Sequence, residues 1–152
     1  MLPTPKKVKL VAGGAEGPTP LNAFDNALCR AGIGNLNLIR VSSILPPGCL
    51  YEEGFSVPAG SLTPTAYGFL TSEDAGAEIA AAIGVGFAED DYGVIMEFEG
   101  VCGAAAAQER VAKMVRDAFA TRGKRLRQLQ VQAASHTVVR IGSVVAAAVL
   151  WY

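Results

Sequence analysis

The 152-residue chain is long enough for one ordinary domain and too short for two. Its 13 Lys+Arg against 14 Asp+Glu leave a net charge of −1, without the basic surplus that a nucleic-acid partner would require. Hydrophobic residues reach 51% against 18% charged, the balance of a chain that folds and not of one that stays disordered.

Lys7 to Ala12 reads as a short strand that the Gly13–Gly14 pair ends. A helix then opens with Thr19 as N-cap and Pro20 at the first helical position, where a missing N–H costs nothing. Leu21, Phe24 and Leu28 mark its apolar stripe, and Gly32 supplies the stop. Asn35 to Val41 is a strand that runs straight into Ser42–Ser43 and then Pro46–Pro47–Gly48. The glycine-rich segment from Gly48 to Ser61 is a loop.

Thr65 to Ser72 and Tyr92 to Glu99 are strands. Between them, the alanines of Ala77 to Ala88 favour helix, but Gly84 and Gly86 count against one, so a strand is expected. The clearest element is a helix over Ala104 to Arg122. Val111, Met114, Val115, Ala118 and Phe119 recur at i, i+3, i+4, i+7 and i+8, and Gly123 ends it. Leu126 to Val139 and Ser143 to Tyr152 close the chain as strands, the last apolar on both faces. Helices separated by runs of strands predict a layered α/β sandwich with much antiparallel pairing.

Mean hydropathy is +0.31, yet no apolar run approaches the ~18–20 residues that span a bilayer. The N-terminal MLPTPKKVKLVAGG lacks the apolar core of a secretory signal. Cys29, Cys49 and Cys102 are odd in number and match no zinc or redox spacing, as expected of reduced thiols in the cytoplasm. With His136 as the single histidine, a multi-histidine metal site is ruled out. No metal and no membrane partner are expected.

Three features stand apart from plain packing. Asp25 lies four residues after Leu21 and three before Leu28, so it shares their helix face. It is there either to bond a local donor or to meet a cation. Glu97 and Glu99 share one side of the strand VIMEFEG with Ile95, while Val94, Met96 and Phe98 take the other. They are either a solvated face or a paired acid site in which one carboxyl keeps its proton. Ser42–Ser43 is either a polar turn or a nucleophile, but no G-x-S-x-G elbow surrounds it. The G-x-G pairs at Gly32/Gly34 and Gly84/Gly86 lack the further glycine of a dinucleotide fingerprint.

In family order, the stretches LVAGGAEGPTPLNAFDNAL, AGIGNLNLIRVSSILPP, LTPTAYGFL, VIMEFEG, SHTV and AAAVLWY resemble the pyruvoyl-dependent arginine decarboxylases. The block NLNLIRVSSILPP is long and unusual. Phe98 stands where the family pattern has tyrosine, and the Gly48–Gly60 loop departs from it. The resemblance implies a fold of largely antiparallel sheets layered into a sandwich, with helices packed on the outer faces.

It also implies a proenzyme that cuts itself between Ser42 and Ser43. The Ser43 hydroxyl would attack the Ser42 carbonyl and convert the amide to an ester. Loss of the Ser43 α-proton would expel the Ser42 carboxylate and leave dehydroalanine, which hydrolyses to a pyruvoyl group and ammonia. Asn37 matches the asparagine that assists this step. Residues 1–42 and 43–152 would stay associated as β and α chains.

The covalent pyruvoyl group would replace pyridoxal phosphate as electron sink. L-arginine would bind it as a Schiff base, lose CO₂ and become agmatine, with Glu97 returning the proton to Cα. Asp25 would face the guanidinium, with backbone carbonyls near Gly34 and Leu36 completing the cradle. The family's trimers, singly or as a dimer of trimers, carry their sites at subunit contacts. Three other readings remain: a pyruvoyl decarboxylase for another amino acid, an unprocessed and non-catalytic trimeric relative, and a hydrolase using serine with His136.

Overall fold

The computed structural model describes residues 2–152. In chain order the elements are β1 (Lys7–Glu16), α1 (Pro20–Arg30), β2 (Asn37–Arg40), β3 (Ile44–Leu45), β4 (Leu50–Tyr51) and β5 (Leu62–Ser72), then β6 (Glu78–Ala88), β7 (Asp91–Gly100), α2 (Ala104–Thr121), β8 (Gln128–Thr137) and β9 (Gly142–Trp151). The strands form a five-stranded sheet, ordered β2-β5-β9-β1-β4, and a four-stranded one, ordered β3-β7-β6-β8. Only the short β1–β4 and β2–β5 pairings are parallel. The layered, largely antiparallel sandwich expected from the sequence is the fold observed.

The doubly apolar β9 explains the layering. Its Val144, Ala146, Ala148 and Leu150 face the second sheet and pack with Ile79, Ala81, Ile83 and Val85 of β6 and Ile95 of β7. Val145, Ala147 and Val149 point the other way, onto Ala27 and Ala31 at the α1 end. On the opposite outer face, Ala107 and Val111 of α2 cover Ala80 and Ala82 of β6, while Val115 and Phe119 pack with Val94 of β7. The order through the molecule is helix, sheet, sheet, helix. Each fully buried Val or Phe in these layers contributes about 1.5–3 kcal/mol. No helix is long and apolar enough to cross a membrane among the described residues.

Both helices start and stop where the sequence signals them. Thr19 is the N-cap of α1, its Oγ1 accepting the Asn22 N–H at 3.1 Å, and Gly32 and Gly123 follow the two helices with φ of +82° and +62°. The segment over Ala77 to Ala88 is a strand, as expected, and its glycines have a packing purpose. A Cβ on Gly86 would stand 2.5 Å from Phe119 Cε1, and one on Gly84 would stand 3.1 Å from Val115 Cγ2, so the bare backbone lets α2 lie close.

Three local expectations change. Gly13–Gly14 does not end β1, which runs on to Glu16 in register with Val145 and Val144 of β9. A Cβ on Gly13 would meet Ala31 N at 2.7 Å and Ala27 O at 2.9 Å, so this glycine admits α1. That close approach selects a small helix face: α1 buries Ala23 and Ala27, whereas Leu21 is 75% exposed. Asp25 therefore lies on the exposed side and not on a buried apolar stripe. Finally, the Gly48–Ser61 loop contains β4, which extends the first sheet past Lys7 and Val8.

Candidate active site

The Ser42–Ser43 bond lies where the chain leaves one sheet for the other. β2 is an edge strand of the first sheet and β3 an edge strand of the second. Val41 N–H donates to Thr65 O at 3.1 Å on the first side, and Ile95 N–H donates to Ser43 O at 2.7 Å on the second. The bond is thus pinned on both flanks by different sheets. Ser42 is exposed and Ser43 half-buried, so the hydroxyls remain accessible beside an anchored carbonyl.

The β3–β7 register pairs Ile44 with Val94, and its continuation sets Ser43 opposite Ile95. Glu97 is the next residue of β7 on the same face. That face looks across the sandwich to Gly68 of β5. A Cβ on Gly68 would stand 3.1 Å from Glu97 Cβ and 2.7 Å from Glu99 Oε2, so the missing side chain makes room for both carboxylates. Burial pushes the Glu97 carboxyl above its ordinary range, the Arg40 guanidinium pulls it down, and the Glu99 charge adds to the rise. The outcome is upward. An acid so placed can keep a proton and return it, while Glu99 beside it is exposed.

Arg40 completes this edge. Its Nη2 donates to Tyr67 O at 2.8 Å, and its guanidinium lies 4.7 Å from the centre of the Tyr67 ring. Neither Arg40 nor Gly68 is singled out by the sequence motifs, although each leaves a trace there. Arg40 is the one cation in an apolar strand, and a glycine inside a strand pattern marks a close approach.

The remaining candidates form a separate group. Asp25 sits on the exposed side of α1, and Leu36 packs into the cluster between α1 and the first sheet. Gly34 lies against Cys29 of α1, where any Cβ would press on its Sγ at 2.5 Å. The Asn37 side-chain amide donates to Gly60 O at 2.9 Å. At ~3.3 Å per residue along an extended chain, Asn37 is roughly 16 Å from Ser42. Asp25 and Leu36 lie on the α1 side of the first sheet, across it from the pair formed by Ser43 and Glu97, whereas Asn37 shares the inner face of β2 with Val41.

His136 is remote from both groups. It belongs to β8, the edge of the second sheet opposite β3, three strand spacings from the serines. Its Nε2 hydrogen-bonds Glu16 Oε2 at 2.6 Å, and the same carboxylate accepts the N–H groups of Val139, Arg140 and Ile141 at 3.2, 2.8 and 3.1 Å. It cannot serve Ser42 or Ser43 as a base within the chain, which removes the support for a serine–histidine hydrolase.

The sequence profile of the family described as pyruvoyl-dependent arginine decarboxylase matches residues 7–152. A protein of that name from Methanocaldococcus jannaschii is 48% identical over 150 residues, covering 97% of this chain and 91% of its own length. Another from Methanococcus maripaludis is 45% identical over 150 residues, with 97% and 92% covered. A third, from Pyrococcus abyssi, is 43% identical over 152 residues, with 98% and 96% covered. With likeness of this depth running through the serine crossing, the acid strand and both helices, the chain belongs to the pyruvoyl-dependent arginine decarboxylase family.

Proposed function

We propose that the chain cuts itself between Ser42 and Ser43 and then converts L-arginine to agmatine and CO₂. The observation that carries this reading is the serine pair held between two sheets, next to a carboxyl that burial inclines to keep its proton. The Ile95 N–H on Ser43 O and the Val41 N–H on Thr65 O fix the backbone on both flanks while leaving the hydroxyls free to move. After attack by Ser43 Oγ on the Ser42 carbonyl, the C–N bond breaks and an ester forms. Removal of the Ser43 α-proton then breaks the ester C–O bond, and the Ser42 carboxylate departs.

Residues 1–42 and 43–152 stay together because β1 lies inside the first sheet between β9 and β4, bonded along its length to β9 of the other fragment. The residues around Ser43 fit the covalent pyruvoyl group that the family name implies: a methyl and a keto oxygen there need no more space than the hydroxymethyl and amide groups of the serine they replace. The group supplies an electron sink for the pair left when CO₂ departs. The chain's own part is to position and protonate. Glu97, half-buried against Gly68, gives a proton to the substrate Cα.

Asp25, with the carbonyls near Gly34 and Leu36, receives the guanidinium, because a planar fork of donors matches a carboxylate. Asp25 lies across the first sheet from its own serines, and Asn37 lies roughly 16 Å along β2 from them, so both act on the serines of another copy. A homotrimer, alone or paired into a dimer of trimers, satisfies that requirement. The exposed Ile39, Leu62 and Phe69 near the β2 edge give such a contact apolar area. The cytoplasm is the compartment that suits three free thiols.

Intact-mass analysis of the purified protein tests this directly. Two fragments are expected, the larger bearing a blocked, pyruvoyl N-terminus, and arginine should yield CO₂. Ser43→Ala should remain one folded, inactive chain. Glu97→Gln should cleave yet lose about 10²–10⁴-fold in CO₂ release. Efficient cleavage of Ser43→Ala, or CO₂ release from uncleaved wild type, overturns the proposal.

A further inference from the structure

The end of the loop before β5 grips the start of β2. Pro58 to Ser61 form a tight turn, in which Ser61 N–H donates to Pro58 O at 3.1 Å and Ser61 Oγ donates to the same carbonyl at 2.6 Å. Gly60 takes a φ of +79°, the left-handed region that the third residue of a type II turn requires. A Cβ on Gly60 would meet nothing within 4 Å, so conformation and not space calls for glycine. Two bonds tie the turn to the neighbouring chain: Gly60 N–H donates to Asn35 O at 2.8 Å, and Asn37 N–H donates to Ser61 O at 3.0 Å. With both flanks fixed, the Gly60 carbonyl has one direction, and it accepts Asn37 Nδ2 at 2.9 Å.

That bond selects one end of the amide. An exposed asparagine side chain can turn either end to a neighbour, but a carbonyl only accepts, so Gly60 O admits the NH₂ end alone. The second Nδ2 hydrogen has no partner among the described residues, and Asn37 is exposed. We propose that Gly60 is a positioning residue of the self-cleavage: its carbonyl holds the Asn37 amide so that the remaining N–H is offered to the Ser42 carbonyl oxygen of another copy. That oxygen gains negative charge as Ser43 Oγ adds to its carbon, and a donor fixed beforehand needs no reorientation at that moment. This rests on the reading of Asn37 as the residue that assists cleavage.

The test is the rate of self-cleavage of the full chain, followed by intact mass after a pulse of cell-free synthesis. Asn37→Ala should slow it about 10²-fold or more, as loss of an oxyanion donor does. Gly60→Val, whose branched side chain is an outlier at positive φ, should slow it about tenfold or more by misplacing the amide. Gly60→Ala should fall between Gly60→Val and wild type, and Gly60→Asn, which tolerates the left-handed region, should restore most of the rate. In an Asn37→Ala background all the Gly60 variants should cleave at one rate, because the amide they orient is gone. Gly60→Ala and its double variant carry the test if Gly60→Val does not fold. Uncleaved wild type, or Asn37→Ala at the wild-type rate, defeats the reading of Asn37. Slow Asn37→Ala beside Gly60→Val at the wild-type rate, or a Gly60 effect as large without the Asn37 amide as with it, defeats the role of Gly60.

Discussion

Gly68→Ala tests the closeness of the two sheets at the site. A methyl there would sit 2.7 Å from Glu99 Oε2, which ends a flexible side chain and can swing away. It would also sit 3.1 Å from Glu97 Cβ and 3.2 Å from Cγ. Those atoms are fixed to β7, so relief requires the sheets to part by a few tenths of an ångström. Overpacking of this kind costs about 1–3 kcal/mol, while replacing a glycine returns about 0.4–1 kcal/mol of unfolded-chain entropy. The clash wins by about 1–2 kcal/mol, which lowers Tm by roughly 2–8 °C at this size. Because the displaced residue is the proton donor, CO₂ release should fall about tenfold or more. Self-cleavage, whose backbone anchors at Thr65 and Ile95 lie to either side, should persist. Calorimetry, an arginine assay and intact mass read the three effects separately. Wild-type Tm together with wild-type kcat would refute the packing of Glu97 on Gly68.

Asp25→Asn should cleave normally yet lose roughly 30-fold or more in kcat/KM for arginine, since it strands the substrate's charge. Citrulline, with no charge to lose, should suffer far less, and an equal loss for both would make Asp25 merely structural. Glu16→Gln should lower stability at pH 7. Burial works against the Glu16 charge, but the Arg140 N–H, His136 and the Val139 and Ile141 N–H groups outweigh it and hold the carboxyl at about 2, below its ordinary 4.5. Such a depressed acid stabilises the fold above about 4.5 and loses that contribution as pH falls towards about 2. The gap in denaturation midpoint between wild type and variant should therefore close over that interval; a constant gap would show that the Glu16 charge is not what matters.

Local signals carried much of this protein. The Thr19–Pro20 start, the stripe from Val111 to Phe119 and the two-faced Ser143–Trp151 strand were legible because caps and periodicity are written into neighbouring residues. The serine pair and the acidic strand were legible for the same reason, each within one short block. What a sequence window does not contain is the identity of the element on the other side. Gly13, Gly84 and Gly86 look like breakers until α1 and α2 are laid against them. Asp25 shares a wheel sector with Leu21 and Leu28, but the close approach to Gly13 rolls α1 onto Ala23 and Ala27, so that Leu28 still packs on the core while Leu21 and Asp25 are exposed. Glu97 gains its character from Gly68 and Arg40, 29 and 57 residues earlier, on strands of the other sheet. Periodicity fixes which face of an element is apolar; only long-range pairing decides what that face meets, and a carboxyl's proton depends on what it meets.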